Sequence, residues 1–284
     1  MNLNKKTAFS IVELSIILVI LGILISGIST GVDLYQEYKN TLARSITKNS
    51  PINRIDDIAL WIDANAIESY KTYPKDKTKI NSLKDIKNYE NKFNFIQNTT
   101  SNQPIYYNSL INGVSGLQFD GIDDFLISEN NILSKNLSQF GEITIFMVAN
   151  IFTSSGTGVF LKYEISTTRI CLEINNGKIR FDFPVIDNSI ITDNPQTNKN
   201  LIIMAMSNKI NQSLFINNQL STSKENNQGL VSNSRTQILI GINLFSNLPT
   251  KLNFGELIIY DRALNNKEIN LIASYLSQKW GIKI

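Results

Sequence analysis

The spacing of apolar residues changes once along this chain, near residue 50. Residues 9 to 32 are almost continuously apolar, and Glu13 is the one strongly polar side chain among them. A helix of that length crosses the ~30 Å of hydrocarbon in a bilayer. Apolar residues then recur at spacings of three and four, at Tyr35, Tyr38, Leu42 and Ile46. The pattern predicts one helix of about forty residues, apolar first and amphipathic afterwards, which ends near Asn49-Ser50-Pro51.

Beyond Pro51 the apolar residues alternate with polar ones, which is typical of strands. The predicted strands are 117–119, 124–128, 143–151, 158–163, 201–207, 236–243 and 251–262. Two hairpins are predicted around the asparagine-rich turns at 175–177 and 217–219, because asparagine tolerates a left-handed backbone. The polar stretches 184–200 and 221–235 are predicted to be loops. Many short strands joined by such turns predict an antiparallel β-sandwich of the jelly-roll type.

One short helix is predicted at the end of the chain. Asn265 followed by Glu268 forms a capping-box signal, and Gly281 is a residue that commonly ends a helix. Between them an apolar stripe recurs at helical spacing, formed by Ile269, Ile272, Leu276 and Trp280. The fold class predicted for the whole chain is therefore mainly β, with a long N-terminal helix, a sandwich head and a short C-terminal helix.

Composition excludes several kinds of chemistry. The formal charge is +3, which is too small to indicate a nucleic acid as the partner. Cys171 is the single cysteine, so that an intrachain disulfide is impossible. The sequence contains no histidine, which removes the usual general base and the usual zinc ligand. These counts also exclude Ser-His and Cys-His nucleophile pairs and thiolate metal clusters.

The N-terminal apolar segment has two common alternative interpretations. A secretory signal peptide would have a shorter apolar core without an acid, although Gly27-Ile28-Ser29 could serve as its cleavage site. A plain signal anchor explains the length but leaves Glu13 without a role. An ionisable side chain inside a membrane-spanning segment costs about 2.5 kcal/mol or more near the centre. Glu13 therefore needs a partner that neither explanation supplies.

Residues 5 to 40 resemble the N-terminal segment of type IV prepilins and type II secretion pseudopilins. The resemblance is carried by Lys5-Lys6 and by Ala8-Phe9-Ser10-Ile11-Val12-Glu13. It implies a basic leader, residues 1–8, that a prepilin peptidase cuts between Ala8 and Phe9, with N-methylation of Phe9. It places Glu13 at the fifth mature position and Gly22 at a helix-weakening position. The chain departs from the family at Ala8, where glycine is usual, and at Thr30, where proline is frequent.

The resemblance also implies a role for Glu13 in filament assembly. Its carboxylate would pair with the terminal ammonium of a neighbouring subunit, so that neither charge is left unpaired in hydrocarbon. Gly27 and Gly31 form a small-residue motif that permits close packing of helices, and merely permissive small residues are the alternative interpretation. Lys5 and Lys6 place the N-terminus in the cytoplasm under the positive-inside rule. The implied location is the bacterial inner membrane, with the head periplasmic or, in an assembled filament, extracellular.

The rest of the chain resembles concanavalin A-like sandwich domains related to laminin G modules. The matching pieces are 60–64, 119–126, 214–218, 255–264 and 275–281. Domains of this kind mostly bind carbohydrate or protein, and some relatives cut glycans, so the fold alone does not decide the function.

A glycan-cleaving activity finds little support in the sequence. Retaining glycosidases place two carboxyl groups about 5–5.5 Å apart, and on this fold the pair comes from alternate positions of one strand. Glu256 and Asp261 are five residues apart and would face opposite sides of a strand. Glu173 has no acid two or four residues away. We therefore expect that the protein is not an enzyme.

The densest acidic cluster is Asp120, Asp123 and Asp124, which flank Gly121. Clustered carboxylates in a loop suit calcium, which takes six to eight oxygen ligands. A β-turn in which aspartates accept backbone N–H bonds is the commoner use of such residues, and it is the interpretation that the sequence favours. No other cofactor is predicted.

Some aromatic residues of the head are candidates for stacking on sugar rings. Tyr106, Tyr107 and Tyr163 could stack on sugars if they are exposed, but core packing is the commoner role. Trp61 sits in an apolar run and is predicted to be buried.

Taken together, the sequence predicts a leader (1–8), a transmembrane and assembly helix (9–49) and a laminin G-like head (50–284). The predicted function is that of a minor or tip subunit of a type IV pilus or pseudopilus. Its head would bind a glycan, a surface polymer or a partner protein, and its other partners would be pilin-like subunits and the prepilin peptidase. The alternatives are a signal-anchored surface lectin that does not polymerise and a glycan-cleaving enzyme.

Overall fold

The structure is a computed structural model that describes residues 10–87, 93–129, 142–153, 157–165, 168–183, 189–225, 237–243 and 248–284. Two α-helices lie at the two ends of this range, α1 (Ile11–Lys48) and α2 (Asn266–Trp280). Short 3₁₀ turns occur at Ile52–Arg54, Ile67–Ser69 and Thr100–Asn102. The predictions for Ala8 and Phe9 concern residues outside the described ranges.

Between the helices, the described residues form antiparallel strands. The first ten are β1 (Ile58–Asp63), β2 (Thr78–Lys79), β3 (Ser82–Leu83), β4 (Phe95–Ile96), β5 (Ile105–Ile111), β6 (Val114–Asp120), β7 (Leu126–Ser128), β8 (Glu142–Ile151), β9 (Thr157–Ile165) and β10 (Thr168–Asn175). The others are β11 (Lys178–Asp182), β12 (Ser189–Ile191), β13 (Asn200–Asn208), β14 (Asn211–Ile216), β15 (Gln219–Glu225), β16 (Ile238–Ile240), β17 (Ile242–Asn243), β18 (Leu248–Pro249) and β19 (Lys251–Tyr260).

The strands form two large sheets. The first has the order β15-β14-β13-β8-β19-β6-β5-β2, and β1 pairs with β19 beside that path. The second has the order β12-β11-β10-β9-β16-β7-β4-β3. The main core lies between them and includes Phe119, Met147, Leu172 and Phe254. This architecture confirms the predicted antiparallel sandwich preceded by a long helix and followed by a short one.

A second apolar layer covers the outer face of the first sheet. There α2 packs its buried stripe against side chains of β1, β8, β13 and β19, and Ala43 of α1 joins the same cluster. The predicted stripe of Ile269, Ile272, Leu276 and Trp280 is buried. Gly255 permits this packing, since a Cβ at that position would lie 2.8 Å from the Trp280 ring. The first sheet is consequently buried on both faces where the helices lie.

The local predictions about turns and caps are confirmed. The hairpin β10–β11 turns through Asn176 and Gly177, and the hairpin β14–β15 turns through Asn217 and Asn218, all with positive φ. Asn265 caps α2 in a capping box with Glu268, and Gly281 ends it in the left-handed conformation.

Three predictions about strands and loops were wrong in part. The stretch 184–200, predicted as a loop, contains β12, and 221–235 begins within β15. The predicted strand 236–243 is divided at Gly241, where φ is +99°. A Cβ at Gly241 would lie 2.6 Å from the Phe119 ring, so close packing against the core interrupts the strand there.

Candidate functional site

The first part of α1 is a surface that no other described residue covers. Every residue from Ser10 to Tyr35 is exposed, including the large apolar ones, over a length of about 37 Å. Among the described residues this is the one helix long and apolar enough to cross a membrane, judged by length and composition. We call residues 11–35 the free half of α1 and residues 36–48 the docked half.

The docked half meets the head through its polar face. Asn40, Ala43 and Thr47 are buried at spacings of three and four residues. Two residues of the predicted apolar stripe point away from the head, since Tyr38 is 62% exposed and Leu42 47% exposed. The reason is chemical, because the facing edge of the head presents backbone groups that need hydrogen-bonding partners.

Asn40 shows how the polar face is bound. Its Oδ1 accepts hydrogen bonds from the Ser115 backbone N–H (2.8 Å) and from Asn65 Nδ2 (3.0 Å). Its Nδ2 donates to the Asn108 carbonyl oxygen at 2.9 Å. Gln36 Nε2 donates to the same carbonyl at 2.6 Å, and the Arg44 guanidinium stacks over the Tyr73 ring at 4.5 Å. The docked half is therefore held mainly by specific hydrogen bonds, and Ala43 adds an apolar contact.

The predicted assembly residues lie on the free half. Glu13 accepts the Ser10 backbone N–H at 2.8 Å, while Ser10 Oγ accepts the Glu13 backbone N–H at 3.1 Å. This capping box corrects the premise that the Glu13 carboxylate has no partner in its own helix. Gly22, Gly27 and Gly31 have open space around them, and no described residue lies within 4 Å of a Cβ at these positions.

Helical geometry places several of these residues on one face. Glu13 and Gly31 are separated by about five full turns, and Gly27, Tyr38 and Leu42 fall within a fraction of a turn of the same direction. This face points away from the buried residues Asn40, Ala43 and Thr47, whereas Gly22 lies on their side. We call the set Glu13, Gly27, Gly31, Tyr38 and Leu42 the outer face of α1.

A buried ionic cluster lies where α1, α2 and the first sheet meet. Asp63 of β1 and Glu256 of β19 are directly opposite each other in the antiparallel register, and both side chains are fully buried. Lys279 of α2 lies between them, with its Nζ 2.5 Å from Asp63 Oδ2 and 2.7 Å from Glu256 Oε2. Like charges opposite each other in a sheet are destabilising, so the ammonium is what makes this pairing tolerable.

The Glu256 carboxylate accepts three further hydrogen bonds. Trp61 Nε1 and Tyr275 Oη each donate to Glu256 Oε1 at 2.7 Å, and Trp280 Nε1 donates to Oε2 at 2.8 Å. Burial is the largest cause that raises the pKa of Glu256, the nearby Lys279 ammonium opposes that shift, and the charge of Asp63 adds to it. The prediction that Trp61 is buried scaffold is confirmed, since it is 2% exposed.

The sequence analysis does not predict this cluster, although the sequence contains a signal for it. Asp63 ends an apolar strand, Glu256 lies within one, and Lys279 falls on the buried face of α2 between Leu276 and Trp280. Ionisable residues at positions predicted to be buried need partners, which indicates a cluster. Only the strand register shows that the three meet.

Two polar clefts flank the end of α1. One, of about 400 Å³, is lined by Lys48, Arg54 and Glu68 among others. The other, of about 430 Å³, lies between the end of α1 and α2 and shares Arg54 with the first. Both place solvent-facing charge beside the buried cluster.

The aspartate cluster forms the hydrogen-bonded turn that the sequence favours. Asp120 Oδ1 accepts the backbone N–H groups of Ile122 (2.7 Å) and Asp123 (3.3 Å), and Asp124 Oδ2 accepts that of Asp120 (3.0 Å). The three carboxylates have oxygens within 4.8 Å of one another. Burial raises the pKa of Asp124 to about 6, and the charges of Asp120 and Asp123 add to the shift. Calcium binding at this turn stays the less favoured alternative.

A third cluster joins β10 to β11. Cys171, Glu173 and Asp182 are buried close together, and Arg180 bridges the two acids at 3.0 Å from Glu173 and 2.8 Å from Asp182. Glu173 therefore has an acidic neighbour after all, on the next strand, which spacing within one strand did not reveal. The Arg180 guanidinium neutralises the pair.

The tyrosines considered as sugar platforms have different positions. Tyr106 is fully buried beside Tyr70 and Tyr73, and Tyr107 is half-buried. The side chain of Tyr163 lies outside the described part of the structure.

Comparison with known proteins gives a likeness of fold. No protein-family model matches the sequence, and no curated protein matches it. Solved structures do match. The receptor-binding domain of botulinum neurotoxin D is 19% identical, with a TM-score of 0.54 over 78% of this chain and 53% of that one. A neurotoxin D ligand-binding domain in complex with N-acetylneuraminic acid matches with the same TM-score and identity, over 51% of its length.

The second kind of match is Trypanosoma rangeli sialidase in complex with 2,3-difluorosialic acid. It is 12% identical, with a TM-score of 0.56 over 89% of this chain and 39% of that one. The chain thus spans about half of the neurotoxin domains and two fifths of the sialidase. At these sequence identities the similarity concerns the fold alone. The fold of the head is a concanavalin A-like β-sandwich, and a long apolar helix precedes it.

Proposed function

We propose that this chain is a minor or tip subunit of a type IV pilus or a related pseudopilus, and that its head is a binding module carried on the filament. The observation that carries the proposal is the outer face of α1. A membrane anchor needs about 20 apolar residues, yet this face continues with exposed apolar side chains to Leu42, opposite the head. A neighbouring α1 is a partner that would cover the whole face.

The alternative is a signal anchor that never polymerises. Tyr35 and Tyr38 favour it, since tyrosines are common where a helix leaves the bilayer. It gives Glu13 only the capping role within its own helix and leaves the exposed Leu42 without a role. The head contains 284 − 49 = 235 residues, which supports a minor or tip position over the main repeating one.

Processing and incorporation test the filament proposal. We expect the membrane-extracted protein to begin at Phe9 and to be N-methylated, as measured by mass spectrometry. Glu13→Leu should leave insertion and processing unchanged and should reduce recovery in sheared filaments about tenfold, because the carboxylate no longer pairs with a neighbour. Thr41→Ala, an exposed change between the two faces, is the control. An intact Met1 start would favour the anchor, and normal incorporation of Glu13→Leu would remove the assembly role proposed for Glu13.

For the head, we propose binding of a glycan, a surface polymer or a partner protein. The neurotoxin match holding N-acetylneuraminic acid supports a sialylated glycan as the first probe. Purified protein should bind immobilised sialylated glycans more tightly than their desialylated forms. Equal binding to both would remove sialic acid from the proposal.

We also propose that the head does not cleave glycans. In the described part of the chain, two acid pairs share a sheet face, Asp63 with Glu256 and Glu173 with Asp182, and both pairs are buried and bridged by a cation. Neither pair is placed to reach a sugar ring, which supports a binding role. Hydrolysis of a sialylated or other glycan by the purified protein would contradict this part of the proposal.

A further inference from the structure

We propose that Lys279 and Asp63 become joined by an intramolecular amide bond, formed between Lys279 Nζ and Asp63 Cγ, with Glu256 as the catalytic residue that moves the protons. The inference concerns the buried cluster and does not depend on the proposed filament role.

Proximity is the first argument. Nζ lies 2.5 Å from Asp63 Oδ2, so it is held against the carboxyl carbon at the distance of reacting groups. Well-oriented groups in one molecule react as if at enormous concentration, because the entropy of bringing them together has already been lost on folding. Strand pairing fixes Asp63, and the packed helix α2 fixes Lys279.

The surroundings favour condensation over the separated ions. The three side chains are fully buried, and Trp61, Tyr275 and Trp280 surround Glu256. Burial of an ammonium and two carboxylates is costly, and forming a neutral amide removes one charge of each sign from the interior. The Glu256 carboxylate that remains keeps its three hydrogen bonds from Trp61, Tyr275 and Trp280. A site that excludes water also disfavours hydrolysis of the product.

The atoms and charges of the step balance. Glu256 Oε2, 2.7 Å from Nζ, accepts a proton from the ammonium and passes it to Asp63 Oδ2, and the resulting amine attacks Cγ of the neutral carboxyl group. Asp63 Oδ1 carries the negative charge of the tetrahedral intermediate, and the Asn65 backbone N–H, 2.9 Å away, stabilises it. The bond from Cγ to Oδ2 breaks, and Oδ2 leaves as water with two protons from Nζ, at least one of them carried by Glu256. No oxidant or cofactor is required.

The bond would tie the first strand of the head to its last helix. It would close a loop of 279 − 63 = 216 residues, and Thr47 of α1 lies beside it, with its Oγ1 3.1 Å from Asp63 Oδ2. A tensile force on α1 would then be transmitted to α2 through a covalent bond as well as through packing contacts.

Peptide mapping of the full-length protein tests the bond. Complete trypsin digestion of denatured protein should yield one species that joins peptides 55–71 and 268–283, with a mass equal to their sum less one water molecule. Trypsin does not cut after an acylated lysine, so cleavage after Lys279 should be lost. Recovery of separate peptides 55–71 and 268–279 would overturn the proposal, whatever the variants do.

Variants test the role of Glu256. Glu256→Gln keeps the size of the side chain but removes the proton acceptor, and the cross-linked peptide should fall at least tenfold. Tyr275→Phe keeps the ring and loses one hydrogen bond to Glu256, so newly made protein should cross-link more slowly. Unchanged cross-linking in both variants would overturn the role of Glu256.

A second buried lysine–aspartate pair is the matched control. Lys87 Nζ lies 3.4 Å from Asp85 Oδ2, where Asp85 accepts backbone N–H bonds from Trp61, Lys87 and Phe93. Lys87→Arg should leave the cross-link between Asp63 and Lys279 intact. Its loss in that variant would show that the loss expected in Glu256→Gln reports general disruption, and would overturn the role assigned to Glu256.

Discussion

The two halves of α1 belong to one uninterrupted helix but have opposite surroundings. Residues 11–35 are apolar and exposed on every side, whereas residues 36–48 bind the head through Asn40, Ala43 and Thr47. In an aqueous protein the apolar half would be expected to be the buried one. The reversal indicates that the partner of the free half lies outside the chain, in lipid or in other helices.

The comparison also shows how orientation is set. Side-chain amides of the docked half bind backbone groups of β5, β6 and the turn between them, for example Gln36 with the Gly113 carbonyl at 2.5 Å. Hydrogen bonds are directional, so they fix the rotation of α1 about its axis more sharply than apolar packing does. The outer face, including Glu13, is thereby pointed away from the head.

Removal of the docked half should have the largest effect. A chain beginning at residue 50 should have a free energy of unfolding at least about 3 kcal/mol lower than one beginning at residue 34, because several buried hydrogen bonds of roughly 1 kcal/mol each are lost. Urea unfolding followed by tryptophan fluorescence measures the difference. Equal stability would mean that α1 contacts the head without stabilising it.

A single side chain should reproduce part of that loss. Asn40→Ala should lower the free energy of unfolding of the full chain by about 1–3 kcal/mol, because the buried Ser115 N–H and Asn108 carbonyl lose their partner. Thr30→Ala, in the free half, is the matched control, since its hydroxyl bonds only within the helix, to Ser26. Thermal unfolding in detergent measures both. A control that destabilises as much as Asn40→Ala would remove the distinction between the halves.

The smallest effect on stability is expected on the outer face. Leu42→Ala should change the free energy of unfolding by about 0.5 kcal/mol or less, since Leu42 is exposed although its neighbour Ala43 is buried. On the filament proposal the same variant should lower incorporation, because it shortens the apolar face offered to a neighbouring helix. Normal incorporation together with normal stability would limit the assembly surface to the free half.

Local features were predictable wherever short-range sequence decides the conformation. The cap at Asn265, the turns at Asn176 and Asn217 and the stop of α1 before Pro51 depend on neighbouring residues alone, and the structure confirms them. The aspartate turn follows for the same reason, since Asp120 bonds residues two and three positions away.

Long-range features were not predictable in the same way. The face of α1 that binds the head does not follow from the sequence, because hydrophobic periodicity does not show that the facing edge is polar. The pairing of Asp63 with Glu256 depends on the register between strands nearly two hundred residues apart in sequence, and no spacing rule reaches that far.

By itself, the sequence determined a membrane-length helix, an alternating β pattern and the caps and turns that divide them, because those follow from local backbone preference and from the cost of burying or exposing side chains. Only the tertiary structure decided which face of the helix is bound, and which ionisable residues meet inside the head. Those outcomes depend on strand register and on directional hydrogen bonds between distant segments, which bring Lys279 against Asp63 and Glu256 and leave the apolar face of α1 open.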